Sequence, residues 1–233
     1  MTDRLTIERP IADLSGMHRL GLDLAAVLRA GDGVELVGPL GAGKTTLVRA
    51  IAEGLGLNAR AVSSPTFVIV HEYTEPARAD ADAEGEGVRT PPVLVHADFY
   101  RLGEDDELDA LGWDRLTGAA AGTVVVAEWP ERAPGALDAQ PGGVARVSIE
   151  PTGETSRVVT LDLPSSWADR AGFDALRPRE ATVCPITGKA VPGDSPTWPF
   201  ADERARMADL GRWFDERYTV SREIRDTDLE LGD

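Results

Sequence analysis

Apolar residues recur every three or four positions in two early stretches of the chain. Residues 11–30 and residues 44–55 both have this spacing, which predicts amphipathic helices rather than strands. Gly54 and Gly56 mark the expected end of the second helix, because glycine commonly stops helical backbone. A short apolar run over residues 34–37 lies between the two stretches and predicts a buried strand.

Later runs that are rich in β-branched and aromatic residues also predict strands. The three clearest runs are residues 66–73, 93–99 and 123–128. The last run is apolar throughout its centre, as expected for a strand that is buried on both faces. Residues 4–9 predict a short edge strand. Two alternating segments, residues 144–149 and 157–163, predict an antiparallel hairpin at the end of the sheet.

These elements together predict an α/β fold over residues 1–163, a sheet with flanking helices and a terminal β-hairpin. Within it, residues 104–116 predict a short acidic helix, and the acid- and glycine-rich residues 77–92 predict a solvated insertion loop. Residues 164–178 have little periodicity and predict a linker. Residues 179–233 predict a small C-terminal appendage, with turns over residues 184–198 and an amphipathic segment over residues 202–217.

The segment GPLGAGKT, residues 38–45, matches the spacing G-x-x-x-x-G-K-[ST] in full. Its glycines let successive backbone N–H groups point inward as a nest for anions, and the following helix adds the positive end of its dipole. Lys44 can reach the β- and γ-phosphates of a nucleotide, and the Thr45 hydroxyl can ligate Mg²⁺. Because a predicted strand precedes the loop and a predicted helix follows it, the pattern indicates nucleotide binding rather than a chance glycine turn. The predicted sheet is therefore P-loop NTPase-like.

Two acidic residues stand at the ends of predicted buried strands. Asp98 ends VLVHAD and Glu128 ends TVVVAE, and ligands bind at the carboxyl ends of strands in open α/β sheets. Both carboxylates are candidates to hold Mg²⁺, directly or through water. Trp129 follows Glu128 and could stack on a base or serve ordinary packing; both interpretations stay open. The chain has no N-K-x-D motif, which argues against a common GTPase.

Composition narrows the cellular setting. The 233 residues carry a formal net charge of −16, which repels nucleic-acid backbone and anionic lipid and disfavours direct, tight binding of DNA or RNA. The single cysteine, Cys184, excludes an intrachain disulfide and suits a reducing compartment. No apolar run approaches the length of a membrane span. We therefore expect a cytoplasmic protein that does not contact a membrane.

Four further motifs follow the P-loop along the chain. They are SSPTF at 63–67, HADFYRL at 96–102, LDALGWD at 108–114 and EWPER at 128–132. Together with GPLGAGKTT, they resemble the TsaE (YjeE) family, the ATPase of bacterial tRNA threonylcarbamoyladenosine biosynthesis, over about residues 5–163. The resemblance implies an ATP hydrolase that is slow alone and is stimulated by its partners TsaB and TsaD, whose complex it cycles. It also implies that the protein meets tRNA only through those partners.

The same resemblance implies roles for individual residues. The ATP phosphates would be bound by Gly41, Ala42, Gly43, Lys44, Thr45 and Thr46. Thr45 and Glu128 would hold Mg²⁺, with Asp98 close by as a metal-organising or water-positioning acid. Thr66 would lie in a switch-like loop near the γ-phosphate, and Trp129 would lie near the nucleotide. The implied catalytic set is Lys44, Thr66, Asp98 and Glu128.

The tail resembles a second family. The motifs CPITGK, SPTWPF and DLGRW resemble YacG, a small zinc protein described as a DNA gyrase inhibitor. That family uses two cysteine pairs for tetrahedral zinc, whereas this chain places Cys184, Thr187, Ala201 and Ala205 at the four positions. Because one thiolate cannot build such a site, we expect no zinc and no gyrase-related role. The tail either docks its aromatic residues elsewhere or is a partly disordered relic.

Two other functions stay open from the sequence. A small-molecule P-loop kinase would need an acceptor pocket and usually an arginine-rich lid, and the arginines of this chain are scattered. An ATP-sensing interaction protein would bind the nucleotide without needing to hydrolyse it. Hydrolysis without transfer to an acceptor would separate the ATPase from the kinase. A Lys44→Ala variant that lost ATP binding but kept partner binding and cellular function would favour the sensor.

Overall fold

The computed structural model describes residues 3–63, 70–74, 93–102, 108, 112–117, 122–193, 195 and 197–209. The chain divides into two compact units, residues 1–179 and residues 180–233. The first unit contains a seven-stranded sheet and the second a two-stranded sheet. In the part of the chain that the structure describes, no helix has the length and apolar character needed to cross a bilayer.

The large sheet has parallel strands at its centre and antiparallel strands at its margins. Its strands are β1 (Arg4–Ile11), β2 (Gly33–Val37), β3 (Val70–Tyr73), β4 (Val93–Asp98), β5 (Thr123–Glu128), β6 (Val144–Pro151) and β7 (Arg157–Pro164), in the spatial order β1-β7-β6-β2-β5-β4-β3. The neighbours β6, β2, β5 and β4 pair in parallel, and the other pairs are antiparallel. Among the described residues of the first unit, the α-helices are α1 (Leu14–Val27), α2 (Lys44–Gly54) and α3 (Trp113–Thr117). The α/β class predicted from the sequence is therefore confirmed.

The central strand β5 explains why this part of the sequence is continuously apolar. Val124 and Val126 belong to the core that α1 and α2 cover, whereas Val125 and Ala127 belong to a second core on the opposite face. All six residues of β5 are buried. Because successive side chains of a strand point to opposite faces, a strand covered on both sides needs apolar residues at every position.

Helix α1 is shorter than the periodicity predicted, because its start is fixed by a polar residue. The Asp13 carboxylate accepts hydrogen bonds from the backbone N–H of Gly16 at 2.9 Å and from the hydroxyl of Ser15 at 2.7 Å. These bonds satisfy a donor of the first turn that has no partner within the helix. Leu28 has extended backbone and ends the helix.

Helices α1 and α2 approach each other through two glycines. A Cβ atom added to Gly21 would lie 2.3 Å from the Cβ of Ala50, and one added to Gly54 would lie 2.5 Å from the Cβ of Ala25. Both distances are far below a van der Waals contact, so the two helices pack with no room for a methyl group at either point. The helix that follows the glycine loop is thus held tightly against α1.

The predicted hairpin forms next to one edge of the sheet, and the predicted edge strand, residues 4–9, lies outside it as part of β1. The β6 and β7 segments pair in antiparallel register, and β6 also pairs with β2. Strand β1 then pairs with the whole of β7, from Arg4 opposite Pro164 to Ile11 opposite Arg157. The reason is that β7 would otherwise expose a row of unpaired backbone groups, which β1 satisfies as the true edge strand.

Residues 164–178, predicted to be a linker, contribute to the core of the first unit. Trp167, Phe173 and Leu176 are buried, and all three belong to the core beneath α1 and α2. The Arg170 guanidinium forms a two-pronged ion pair with the fully buried Asp32. The segment therefore packs against the sheet as well as connecting the units, and the exact domain boundaries stay a prediction.

Three further predictions fall partly or wholly on residues that are not described. The strand predicted over residues 66–73 is observed as Val70–Tyr73, and residues 64–69 lie outside the described part. Of the helix predicted over residues 104–116, the described residues show Trp113–Thr117 as helical. The insertion at residues 77–92 lies outside the described residues.

Candidate nucleotide site

The glycine loop connects the end of β2 to the start of α2. Gly43 is the N-terminal cap residue of α2 and has a φ of 110°, in the left-handed region that favours glycine. At Gly38 a Cβ atom would come within 2.6 Å of the Ile149 carbonyl oxygen. The Arg157 guanidinium donates a hydrogen bond from Nε to the Ala42 carbonyl at 3.0 Å, which tethers the loop to β7. The loop conformation therefore depends on glycines and on one arginine of a neighbouring strand.

A cavity of about 390 Å³ opens above this loop. Its lining consists of Leu40, Gly41, Ala42, Gly43, Lys44, Thr45, Thr46, Asp98, Tyr100, Glu128 and Trp129. Every site residue that the sequence predicted lines this cavity, except Thr66, which lies outside the described residues. Strands β4 and β5 pair in parallel with Asp98 opposite Glu128, so both acids end at the same edge of the sheet. The topology thus brings together residues that are up to 88 positions apart, from Gly41 to Trp129.

Glu128 is the point where the loop and the sheet meet. Its carboxylate oxygen Oε1 accepts a hydrogen bond from the Thr45 hydroxyl at 2.9 Å. The same oxygen lies 3.0 Å from Nε2 of His96, and Glu128 and His96 are both buried. Because an ionised carboxylate only accepts hydrogen bonds, we assign the imidazole proton to Nε2. One carboxylate oxygen is therefore held by two donors from different elements.

His96 is a residue of this site that the sequence reasoning missed. It is 0% exposed, and its Nδ1 atom is buried with no hydrogen-bond partner in the described structure. A signal for it was present in the sequence, because His96 stands two positions before Asp98 and alternate residues of a strand share one face. A histidine on the same strand face as a candidate metal ligand predicts a contact near the metal.

Lys44 is folded back onto its own loop. Its ammonium nitrogen Nζ donates to the carbonyl oxygens of Gly38 at 2.8 Å and Pro39 at 3.1 Å, and lies 4.0 Å from the ring centroid of Trp129. Burial lowers the pKa of Lys44, and the negative charges of Glu128 and Asp98 oppose this lowering. The ammonium group of Lys44 thus contacts two neutral carbonyl oxygens and an aromatic face. An anionic ligand can replace these partners.

Trp129 adopts backbone that is unusual for a large residue. Its φ of 58° and ψ of 49° lie in the left-handed region, and this turn leads the chain from β5 into the 3-10 turn Pro130–Arg132. The half-buried ring packs against Tyr100, with ring centroids 5.0 Å apart. Strained backbone in a non-glycine residue persists where the surroundings fix it, and such positions cluster at ligand sites. Trp129 therefore packs against Tyr100 and also lines the cavity.

Asp98 combines a local structural bond with a place in the cavity. Its side chain accepts a hydrogen bond from the backbone N–H of Tyr100 at 3.0 Å, which caps the 3-10 turn Phe99–Arg101. The residue is 6% exposed and lines the cavity. The capping bond fixes its carboxylate at the strand end, so Asp98 is preorganised beside Glu128 at the same edge.

These groups fit a nucleotide phosphate and a divalent cation. A helix N-terminus preceded by a glycine turn provides backbone donors for phosphate, and Lys44 adds a positive charge beside them. The Thr45 hydroxyl and the carboxylates of Asp98 and Glu128 are oxygen ligands of the kind that Mg²⁺ prefers. A second cavity of about 400 Å³, lined by Asn58, Ala61 and residues 70–74, lacks such a glycine loop and has no lysine among its lining residues.

The fold and this cavity together define a P-loop nucleotide-binding protein. Comparison with protein families gives the particular member: residues 11–159 match the family model described as threonylcarbamoyl adenosine biosynthesis protein TsaE. The chain belongs to the TsaE family. Residues 182–230 match a second family model, described as DNA gyrase inhibitor YacG, as the motifs of the tail predicted.

Individual relatives agree with the family match. The chain is 47% identical over 116 residues to a tRNA threonylcarbamoyladenosine biosynthesis protein TsaE of Streptomyces coelicolor, covering 49% of this chain and 68% of that protein. A TsaE of a Nostoc species is 36% identical over 140 residues, covering 57% and 75%. The crystal structure of Bacillus subtilis YdiB is similar with a TM-score of 0.46 and 25% identity, covering 71% of this chain and 89% of that chain.

Proposed function

We propose that this protein is the accessory ATPase of tRNA threonylcarbamoyladenosine biosynthesis, which binds and hydrolyses ATP with Mg²⁺ to cycle a TsaB–TsaD complex in the cytoplasm. The observation that carries the proposal is the 2.9 Å hydrogen bond between the Thr45 hydroxyl and Glu128, inside a cavity that the P-loop encloses. It joins the two oxygen ligands that a P-loop enzyme uses for its metal. The family match adds the pathway.

The roles of the residues follow from their positions. Backbone N–H groups from Gly41 to Thr46 and the start of α2 would hold the phosphates, and Lys44 would exchange its carbonyl partners for phosphate oxygens. Thr45 and Glu128 would hold Mg²⁺, and Asp98 would position either a metal-bound or an attacking water. When bound, Mg²⁺ would neutralise charge on the transferring phosphoryl group.

We also expect slow turnover without partners, and the lining of the cavity supports this expectation. Among the described residues that line it, Lys44 is the only one with a cationic side chain. P-loop hydrolases gain about 10³–10⁵ in rate when a second cation, commonly an arginine from a partner, stabilises the transition state. We therefore expect TsaB and TsaD to supply or order such a charge. The net charge of −16 supports contact with tRNA through these partners rather than directly.

The test is steady-state ATP hydrolysis by the purified full chain, with and without TsaB and TsaD from the same source. Wild type is compared with Lys44→Ala and Glu128→Ala. The matched control is Lys189→Ala, which alters the other lysine of the chain, in the C-terminal unit. We expect a partner-dependent rate that falls by about 100-fold or more in Lys44→Ala and in Glu128→Ala and is unchanged in the control.

Other outcomes would contradict the proposal in different ways. An unchanged rate and ATP affinity upon addition of TsaB and TsaD would remove the partner dependence. Transfer of phosphate to an added acceptor would favour the kinase. If Lys44→Ala lost ATP binding but retained partner binding and cellular function, the protein would be an ATP-sensing interaction protein.

A further inference from the structure

The C-terminal unit contains a short β-hairpin whose turn is held by backbone hydrogen bonds. Two short strands, β8 (Thr182–Val183) and β9 (Ala190–Val191), pair in antiparallel register. The backbone N–H of Cys184 donates to Lys189 at 2.8 Å, and that of Gly188 donates to Cys184 at 2.9 Å. Residues 203–209 are helical. The unit therefore has defined local structure, and the question is what stabilises it.

A structural zinc ion, as the resemblance to YacG implies, does not fit the residues that are present. Of the four positions, Cys184 alone carries a thiol; Thr187, Ala201 and Ala205 carry none. Alanine offers no ligand atom, and zinc is bound by thiolates, imidazoles and carboxylates. Among the described residues, no group of three or more histidines, cysteines or acids is placed to hold a metal.

An apolar cluster occupies the region around the four positions. Cys184, Val191 and Ala205 are each at most 3% exposed and form its centre. The side chains packed against them are Ile186, Trp198, Phe200 and Ala201. The indole N–H of Trp198 donates to the Glu180 carbonyl at 3.1 Å, so the largest ring of the cluster has its polar atom satisfied. Cys184 here acts as a small apolar residue.

The sulfur of Cys184 nevertheless keeps the surroundings of a ligand. It accepts a hydrogen bond from the backbone N–H of Thr187 at 3.4 Å. Burial raises the pKa of the thiol, but hydrogen bonds from Thr187 and from the backbone of Ala201 and Ile186 outweigh it and lower the pKa to about 7. Backbone donors directed at a sulfur are the contacts that stabilise a thiolate. The backbone of Thr187 therefore contacts this sulfur, and Ala201 and Ala205 belong to the same apolar cluster as Cys184.

We propose that the C-terminal unit folds without metal, because its apolar cluster takes the place of the zinc ion. The four positions that correspond to the zinc ligands of YacG, residues 184, 187, 201 and 205, still surround one point. Two consequences follow. The wild-type unit keeps its structure when metal is removed, because burial of the cluster does not depend on a ligand. Cysteines placed at the other three positions recreate a tetrahedral thiolate site, because the backbone that would present them is retained.

The first consequence is tested on the full-length wild type by metal analysis and amide hydrogen exchange. Protein purified from zinc-supplemented cells is expected to contain no stoichiometric zinc. The amides of Cys184 and Gly188 are expected to keep their protection within about twofold in EDTA. One zinc ion per chain, or loss of this protection on chelation, would overturn the proposal. A Cys184→Ala variant is expected to keep the protection of Gly188, and its loss there would also count against an apolar role.

The second consequence is tested with the triple variant Thr187→Cys, Ala201→Cys, Ala205→Cys in the full chain. Titration with Co²⁺ is expected to give tetrahedral thiolate absorption bands at one ion per chain, which Zn²⁺ then displaces. The same variant with Cys184→Ser added is the control and is expected to bind more weakly. Absence of the bands, while exchange shows Gly188 still protected, would mean that the four positions do not converge. None of these measurements depends on ATP hydrolysis, so they stand apart from the proposed function.

Discussion

Replacing His96 should separate catalysis from stability in this protein. His96 is fully buried and holds Glu128 through one hydrogen bond of 3.0 Å, while its other ring nitrogen has no partner in the described structure. In His96→Leu, Glu128 keeps its bond from Thr45 and loses the one from the imidazole. His96 is thus a positioning residue for a proposed metal ligand, and the prediction rests on the proposed function.

The magnitude follows from the two bonding states of the imidazole. A hydrogen bond to a charged group contributes about 1.5–3 kcal/mol, whereas a buried nitrogen without a partner costs about 1–3 kcal/mol. His96→Leu removes both, and because the two effects oppose each other we expect the free energy of unfolding to change by less than about 2 kcal/mol. If the lost bond is fully expressed in the transition state, kcat falls by about 10- to 150-fold at 1.36 kcal/mol for each factor of ten.

The assay compares wild type, His96→Leu and His96→Gln in partner-stimulated ATP hydrolysis and in urea unfolding. The glutamine amide can donate from about the place of the imidazole Nε2, so His96→Gln is expected to recover most of kcat. We expect the KM for ATP to change little, because the phosphate-binding loop is untouched.

Two results would refute this reasoning. A His96→Leu enzyme with kcat within about twofold of wild type would mean that Glu128 needs no second donor. A fall in kcat that paralleled an equal loss of stability, with no recovery in His96→Gln, would make the imidazole a packing residue only.

Two further predictions concern stability. Asp13→Ala should lower the free energy of unfolding by about 1 kcal/mol in urea, and Asp13→Asn should largely keep it. Hydrogen bonds from Ser15 and Gly16 lower the pKa of Asp13 from 3.8, so its ionised form is favoured on folding. This contribution to stability is present above the pKa of Asp13 in the unfolded chain and is lost as the pH falls through the lowered pKa of the folded state. Urea titrations in acid should reveal this dependence in wild type, and Asp13→Asn should lack it. Arg170→Ala should lower the free energy of unfolding by about 3–5 kcal/mol, because it leaves the buried Asp32 carboxylate without its ion pair. A double variant that also carries Asp32→Asn should recover part of that loss. Equal losses in the single and the double variant would contradict the argument.

The sequence predicted which residues lie together at the cavity better than it predicted the long-range packing of the fold. The P-loop spacing and the acids at two strand ends determine the cavity, because parallel strands place their carboxyl ends together. Individual contacts were harder to predict. The Thr45–Glu128 bond followed from the expected metal site. The contact of His96 with Glu128 also depends on the pairing of β4 with β5 and on its register, which the strand pattern alone does not give.

The missed parts of the fold have a common physical cause. No local pattern of the sequence indicates the burial of Trp167, Phe173 and Leu176, because these residues follow neither helical nor strand spacing. The pairing of β1 with β7 likewise joins the two ends of the first unit, and alternation within each strand does not identify its partner. Both features are decided by long-range packing.

The close contacts of two glycines between α1 and α2 make residues outside the cavity important for the geometry of the site. Helix α2 begins at Lys44, and α1 meets it at Gly21 and Gly54 without space for a methyl group. A larger residue at Gly21 would act as a wedge, tilting α2 and moving its first turn relative to the two carboxylates. Gly21 therefore influences the geometry of the phosphate loop, although this residue is not among those that line the cavity.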